Sequence, residues 1–276
     1  MTLVEASILG VVQGVTEFLP ISSIAHLRVV PALFGWGDPG AAFSAVIQLG
    51  TLLAVLIYFA GDLRDMIVGA LKGLCEGKPW ASQEARLAWF ITLGTFPIGI
   101  CGLAFKKHIE GEWRSLYVIS VSLIILGILL WAAERRAAFQ RDVAQIGWLD
   151  SQLIGLAQAL ALIPGSSRSG TTMTAAMFLG LTREAAARFS FLLGIPAIGA
   201  AGVFELRELL KHGVGEAGLS ALAVATVTSA ASGYLAIDLL LRYLRRNTTY
   251  IFVWYRIGLG LLLLALLGAG ILSPLG

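Results

Sequence analysis

Long stretches of this sequence carry no charge. Residues 43–60 (FSAVIQLGTLLAVLIYFA), 87–105, 115–133 and 217–237 contain no Asp, Glu, Lys or Arg. Residues 251–272 contain one charge, Arg256, and residues 189–204 are apolar but short. Roughly 20 apolar residues carry a helix across a bilayer, so these six stretches are expected to be crossings. Composition agrees: 13% of the 276 residues are charged, against about 25% in soluble domains. The net charge of +3 is small, and the basic residues are scattered between spans. Nothing here has the basic face that a nucleic-acid partner needs. The start, MTLVEASILG, lacks a basic n-region and carries Glu5, so it reads as a first apolar segment and not as a signal peptide. Glu5 itself is expected at the interface. Cys75, in a charged loop, and Cys101, inside a span, read as free thiols without metal-ligand spacing.

Two further apolar regions are interrupted. Residues 3–34 contain Gln13, Thr16, Glu17, Pro20, Ser22, Ser23 and His26; residues 152–181 contain Gln158, Pro164 and a cluster of hydroxyls. Each splits at a proline into pieces too short to span. Such segments suit re-entrant helix pairs, because broken backbone at membrane depth is tolerated only where protein or water satisfies it. The two regions also resemble each other. ILGVVQGVTEFLPISS (8–23) aligns with LIGLAQALALIPGSS (153–167), matching Gln13 to Gln158, Pro20 to Pro164 and Ser22-Ser23 to Ser166-Ser167. AFSAVIQLG (42–50) then parallels RFSFLLGIP (188–196), at an offset of about 145 residues. The expected fold is therefore an all-α polytopic membrane protein with an inverted-topology repeat: six transmembrane helices plus two re-entrant helix pairs. Repeat one covers about 1–133, repeat two about 150–272. Twelve Lys and Arg fall on one side of this topology and six on the other, Arg168 and Arg256 excluded. The positive-inside rule makes the first side cytoplasmic. Both termini then face outward, and the two pairs enter from opposite faces to meet near the midplane.

The chemistry-bearing residues lie in these interruptions. In LIPGSSRSGTT (162–172), Pro164 and Gly165 stop one helix and the hydroxyls start the next. A helix N-terminus attracts phosphate, and Arg168 adds a fork that grips it bidentately. Ser167, Arg168, Ser169, Gly170 and Thr172 are thus candidate phosphate binders; the alternative is a polar kink with Arg168 paired to a carboxylate. No Walker A lysine follows. In the first repeat, Gln13 and Glu17 share a helix face. A mid-membrane carboxylate costs about 2.5–3.5 kcal/mol, so Glu17 is expected to neutralise Arg168, hold a divalent cation or act as a base. Ser23 is a candidate nucleophile activated by His26, which could shuttle its proton. His108 and His212 are expected in solvated loops. Asp150 is a candidate N-cap for the second pair, and Arg256 is expected to snorkel or to pair with an acid.

These residues resemble a known family. QGVTEFLPISSIAH (13–26) looks like the (E/Q)GxTEFLPxSSxxH segment of the undecaprenyl pyrophosphate phosphatases, or bacitracin-resistance proteins, and PGSSRSGTT (164–172) looks like their PGxSRSGxT signature. The resemblance implies an integral membrane phosphatase of the bacterial cytoplasmic (inner) membrane, with its site towards the outer, periplasmic face. It implies removal of one phosphate from undecaprenyl diphosphate, which recycles the lipid carrier for peptidoglycan, and a requirement for a divalent cation (Mg2+ or Ca2+). It carries catalytic roles to Glu17, Ser23, His26 and Arg168, phosphate binding to Ser167, Arg168, Ser169 and Thr172, and metal binding to Glu17 with Gln13. Gln13 stands where the pattern allows Glu or Gln, and Gln cannot be a base. Ile24-Ala25 replaces the more usual Thr/Ser-Gly before the histidine. Attack by Ser23 and attack by a metal-bound water both remain open, as does a homodimer. A transporter or lipid flippase with an anion site is the alternative from another class.

Overall fold

The computed structural model of the chain describes residues 1–212 and 218–274. Its elements are helices, in the order α1 (Leu3–Phe18), α2 (Ser23–Phe34), α3 (Gly40–Tyr58), α4 (Ala60–Cys75), α5 (Gln83–Gly94), α6 (Phe96–Ala104), α7 (Lys106–Glu110), α8 (Leu116–Arg136), α9 (Trp148–Ala159), α10 (Arg168–Phe178), α11 (Arg183–His212), α12 (Leu219–Leu244) and α13 (Tyr250–Gly268). Five stretches are long and apolar enough to cross a membrane: Gln83–Ala104, Leu116–Arg136, Arg183–Glu208, Leu219–Leu244 and Tyr250–Gly268. The pair α3–α4, bent by 75° between its helices, makes a sixth when counted as one broken span. The chain is an all-α polytopic membrane protein, as the charge-free runs require.

Several details differ from the sequence reading. The short apolar run 189–204 is the middle of a 30-residue helix, α11, which continues through Pro196. Cys75 is not in a loop: it is the last residue of α4 (Ala60–Cys75), a largely exposed helix that carries Asp62, Arg64, Asp65 and Lys72. Asp150 is not the N-cap of α9; Gly147 is, and Asp150 sits in the first turn, accepts from the Gly147 N–H at 2.7 Å and pairs with Arg141. Glu5 closes a capping box with Thr2. Neither His108 nor His212 lies in a loop: His108 is on the short helix α7, exposed as expected, and His212 is the last residue of α11, its side chain outside the described residues.

The two interrupted regions form helical hairpins of half-length pieces. α1 has 16 residues and α2 has 12, or roughly 24 and 18 Å at 1.5 Å per residue. α9 and α10 have 12 and 11 residues, with a 3-10 turn at Leu160–Leu162 between them. None reaches across about 30 Å of hydrocarbon. α1 lies against α12 at close range because it presents Gly10 and Gly14 there. A Cβ at these positions would meet the Ala225 carbonyl oxygen at 2.3 Å and the Ser229 carbonyl oxygen at 2.5 Å. Such small-residue seams let helix backbones approach where lipid provides no hydrophobic drive.

Candidate active site

The two hairpin tips meet inside the helices. Each second helix starts on a serine N-cap in the left-handed region: Ser22 at φ 75°, ψ 102° and Ser167 at φ 68°, ψ 115°. Each cap hydroxyl accepts from the N–H three residues on, Ser22 Oγ from Ala25 and Ser167 Oγ from Gly170. The structural match is thus Ser22 with Ser167, one residue off the serine-for-serine sequence alignment. Gly165 (φ 92°) restores the register that the shorter segment before Pro164 loses. Non-glycine residues with positive φ are uncommon and persist only where the surroundings hold them.

Between the tips lies a cleft of about 140 Å³ lined by Glu17, Ser22, Ser23, Gln48, Ser167 and Arg168, with apolar walls from α6 and α11. Glu17 is its centre. One carboxylate oxygen meets Arg168 Nη2 at 3.3 Å; the other accepts from Ser23 Oγ at 2.7 Å and from Gln13 Nε2 at 3.0 Å. Arg168 also donates from Nη1 to the Ser190 carbonyl at 3.1 Å, while its buried Nε has no partner among the described residues. The first-turn N–H groups of both second helices have no helical acceptor, and both N-termini open on the cleft. A cation, two positive helix ends, hydroxyl groups and one carboxylate therefore converge on a small polar space.

The structure sorts the candidate residues into layers. Glu17, Ser23, Ser167 and Arg168 line the cleft. Ser169, Gly170 and Thr172 are fully buried behind it. Ser169 Oγ donates to the Leu19 carbonyl at 3.0 Å and so ties the two tips together; Thr172 bonds Ser190 Oγ and the Arg168 carbonyl. Gln13 is fully buried behind Glu17 and turns its NH2 to that carboxylate, while its Oε1 has no hydrogen-bond partner among the described residues. No hydrogen bond joins His26 to Ser23 among the described residues: Nδ1 faces the Ser22 carbonyl and Nε2 the Tyr255 hydroxyl, both at 2.7 Å. The carboxylate, not the imidazole, is the serine's partner.

Arg256 overturns its expectation most plainly. Among the described residues it neither snorkels nor pairs with an acid. It is fully buried and donates to the carbonyls of Pro20 (3.0 Å), Gly165 (3.2 Å), Ser166 (2.9 Å) and Leu123 (3.4 Å), joining both tips. The sequence reading also passed over Gln48, Ser190 and Tyr255. Their signal was a polar group inside an apolar span, which is costly and therefore informative.

A cation has a narrow fit here. Among the described residues no group of three His, Cys, Asp or Glu comes together. Glu17 is the single carboxylate lining the cleft. Magnesium commonly takes one or two carboxylates plus substrate phosphate oxygens and water. The donor set fits an ion shared with a bound phosphate ester, not a cage made by protein alone.

Six candidate spans and two half-length hairpins that meet at a polar cleft define a polytopic membrane protein with its polar site enclosed among helices. Comparison with known proteins carries this further. The family model of the bacitracin resistance protein BacA matches residues 6–262. The undecaprenyl-diphosphatase of Myxococcus xanthus (strain DK1622) is 58% identical over 275 residues, covering 100% of this chain and 92% of that protein. Those of Chlorobium phaeovibrioides (strain DSM 265 / 1930) and Chlorobaculum tepidum (strain ATCC 49652 / DSM 12025 / NBRC 103806 / TLS) are 54% and 51% identical, each covering 99% of this chain and 100% of the relative. The chain belongs to the BacA family of bacitracin resistance proteins.

Proposed function

We propose that this protein hydrolyses undecaprenyl diphosphate to undecaprenyl phosphate and inorganic phosphate, recycling the lipid carrier of cell-envelope synthesis and contributing to bacitracin resistance. Family membership and full-length relatives bearing that activity in their names support this. The observation that carries the mechanism is the Ser23–Glu17–Arg168 constellation in the cleft.

Ser23 Oγ attacks the terminal phosphorus while Glu17, already accepting its hydrogen bond at 2.7 Å, takes the proton. The bond to the bridging oxygen breaks and undecaprenyl phosphate leaves. Glu17 passes that proton to the departing undecaprenyl phosphate oxygen and is a carboxylate again; a water then attacks the phosphoserine and gives its proton to Glu17, which returns it to Ser23 Oγ as the Ser23–phosphorus bond breaks and phosphate leaves. Arg168, with its unpartnered Nε–H, and the two helix N-termini stabilise the equatorial oxygens of the transferring group. Phosphoryl transfer depends chiefly on such positioning and charge. Glu17 would be the protein's ligand to a divalent cation, Mg2+ or Ca2+, which when bound neutralises charge on the diphosphate.

The lipid tail has a route. An apolar groove of about 820 Å³ between α5–α6 and α11 is lined by Phe96, Gly99, Leu103, Leu162, Ala200 and Phe204, and shares Ile98, Ala197 and Ala201 with the cleft. A diphosphate in the cleft places its polyprenyl chain there. The hairpins form an inverted-topology repeat, in keeping with their matched caps. The cleft opens outward in the bacterial cytoplasmic membrane, in keeping with the excess of Lys and Arg on the opposite side. Sizing in detergent decides whether a homodimer forms.

The test is phosphate release from a polyprenyl diphosphate by purified protein in detergent. Wild type releases phosphate, chelator suppresses it, and Arg168→Ala and Ser23→Ala lose most of it. Acid quenching traps phosphoserine in wild type. Folded wild-type protein that binds the lipid but releases no phosphate overturns the hydrolase in favour of a flippase. Near-full activity in Ser23→Ala overturns the serine route in favour of direct attack by water.

A further inference from the structure

His26 occupies the helical position in α2 that Thr171 occupies in α10: each is four residues past its cap serine. The comparison exposes a difference. In the second hairpin the cap carbonyl, Ser167 O, accepts the Thr171 N–H at 2.9 Å. In the first hairpin the same backbone bond, His26 N–H to Ser22 O, is stretched to 3.4 Å. The imidazole replaces it, with Nδ1 at 2.7 Å from the same oxygen. A carbonyl only accepts, so Nδ1 carries the hydrogen, and Nε2 pairs with the Tyr255 hydroxyl at 2.7 Å, which donates to it when the ring is neutral. The two rings lie nearly parallel, 9° between planes and 5.6 Å between centroids. Both nitrogens are therefore engaged away from Ser23. Ser22, strained at φ 75°, is the residue whose carbonyl they hold.

We propose that His26 is a positioning residue: its Nδ1–H pins the Ser22 carbonyl and so aims the Ser23 hydroxyl at phosphorus, with Tyr255 locking the ring. The first tip is then anchored carbonyl by carbonyl, Leu19 by Ser169, Pro20 by Arg256 and Ser22 by His26. Two adjacent residues of α13, Tyr255 and Arg256, supply part of this grip. The loop they fix leads directly into the nucleophile, where a displacement near 1 Å can cost about 100-fold in rate.

The inference rests on the phosphatase reading with Ser23 at the reacting phosphorus, and its test separates the two. Asn places an amide N–H close to where imidazole Nδ1 stood, but offers no titrating group; Gln places it further out. With kcat and KM measured on purified proteins of matched thermal stability, His26→Asn keeps kcat within about tenfold of wild type. His26→Gln and His26→Ala lose about 100-fold, with KM little changed. Tyr255→Phe keeps the ring and the fold. It lowers kcat about two- to tenfold in wild type, the worth of one hydrogen bond, and has no further effect in the His26→Asn background. His26→Asn as inactive as His26→Gln, an equal Tyr255→Phe loss in both backgrounds, or an acid-labile phosphohistidine would each overturn the proposal. Loss of activity in Ser23→Ala tests the phosphatase reading independently of this series.

Discussion

Gly194, on α11, offers a way to move Arg168 without touching it. A Cβ built there would lie 1.6 Å from Arg168 Nη1 and 2.3 Å from Cζ. The guanidinium must retreat by roughly 2 Å to reach an ordinary van der Waals separation. That breaks the 3.1 Å bond to the Ser190 carbonyl and the 3.3 Å contact with Glu17. The obstructing atoms are the end of a flexible side chain, so the backbone need not shift. Alanine is also the better helix former by about 1 kcal/mol. Against that gain stand the buried Ser190 carbonyl and Glu17 left without their arginine, at about 1–3 kcal/mol each, so Gly194→Ala is expected to stay folded but to unfold in detergent below the wild-type temperature, and to lose about 100- to 1,000-fold in kcat. Removing one preorganised transition-state donor costs that much, about 2.7–4 kcal/mol. The assay is phosphate release with kcat and KM resolved, beside thermal unfolding of the same preparation. Gly155→Ala is the contrasting control: its Cβ would meet the Gly94 carbonyl oxygen at 2.1 Å, backbone that cannot retreat, so the fold itself weakens. Wild-type kcat in a stable Gly194→Ala protein would refute the placement of Arg168 in the site.

Other expectations follow from the same geometry. Arg256→Met takes the arginine donor from the tip carbonyls of Pro20, Gly165 and Ser166; at about 1–3 kcal/mol for each buried group left unpaired, thermal unfolding should fall by many degrees and activity with it. Arg256→Lys, a single point charge without the fork, should recover only part of that stability. Ala200→Trp fills the apolar groove but stands off the polar cleft. It should raise KM for a long polyprenyl diphosphate about tenfold or more and leave hydrolysis of a short-chain diphosphate unchanged. Gln48→Leu removes an amide from the cleft wall and should raise KM about 10- to 100-fold, the worth of one hydrogen bond to a charged group; unchanged kinetics would place Gln48 outside the bound complex.

What the sequence determined by itself was set by composition and local pattern. Charge-free runs of bilayer length leave little but transmembrane helices, because water is absent and each segment must satisfy its own backbone. A proline followed by serines and an isolated ionisable residue, twice over, marked both hairpin tips. Glu17, Ser23, Ser167 and Arg168 were legible because charge and hydroxyls inside apolar segments are expensive. Tertiary structure alone decided which partner each group takes. Nothing in the spacing of Ser23 and His26 tells that the serine bonds to Glu17 while the imidazole turns to Ser22 and Tyr255, since that depends on α13, 229 residues away from His26 at its contact with Tyr255. The same holds for Arg256, whose acceptors are backbone carbonyls from three separate segments. Carbonyls have no letter in a sequence, so an arginine that binds them reads as an unpaired charge until the fold brings them together.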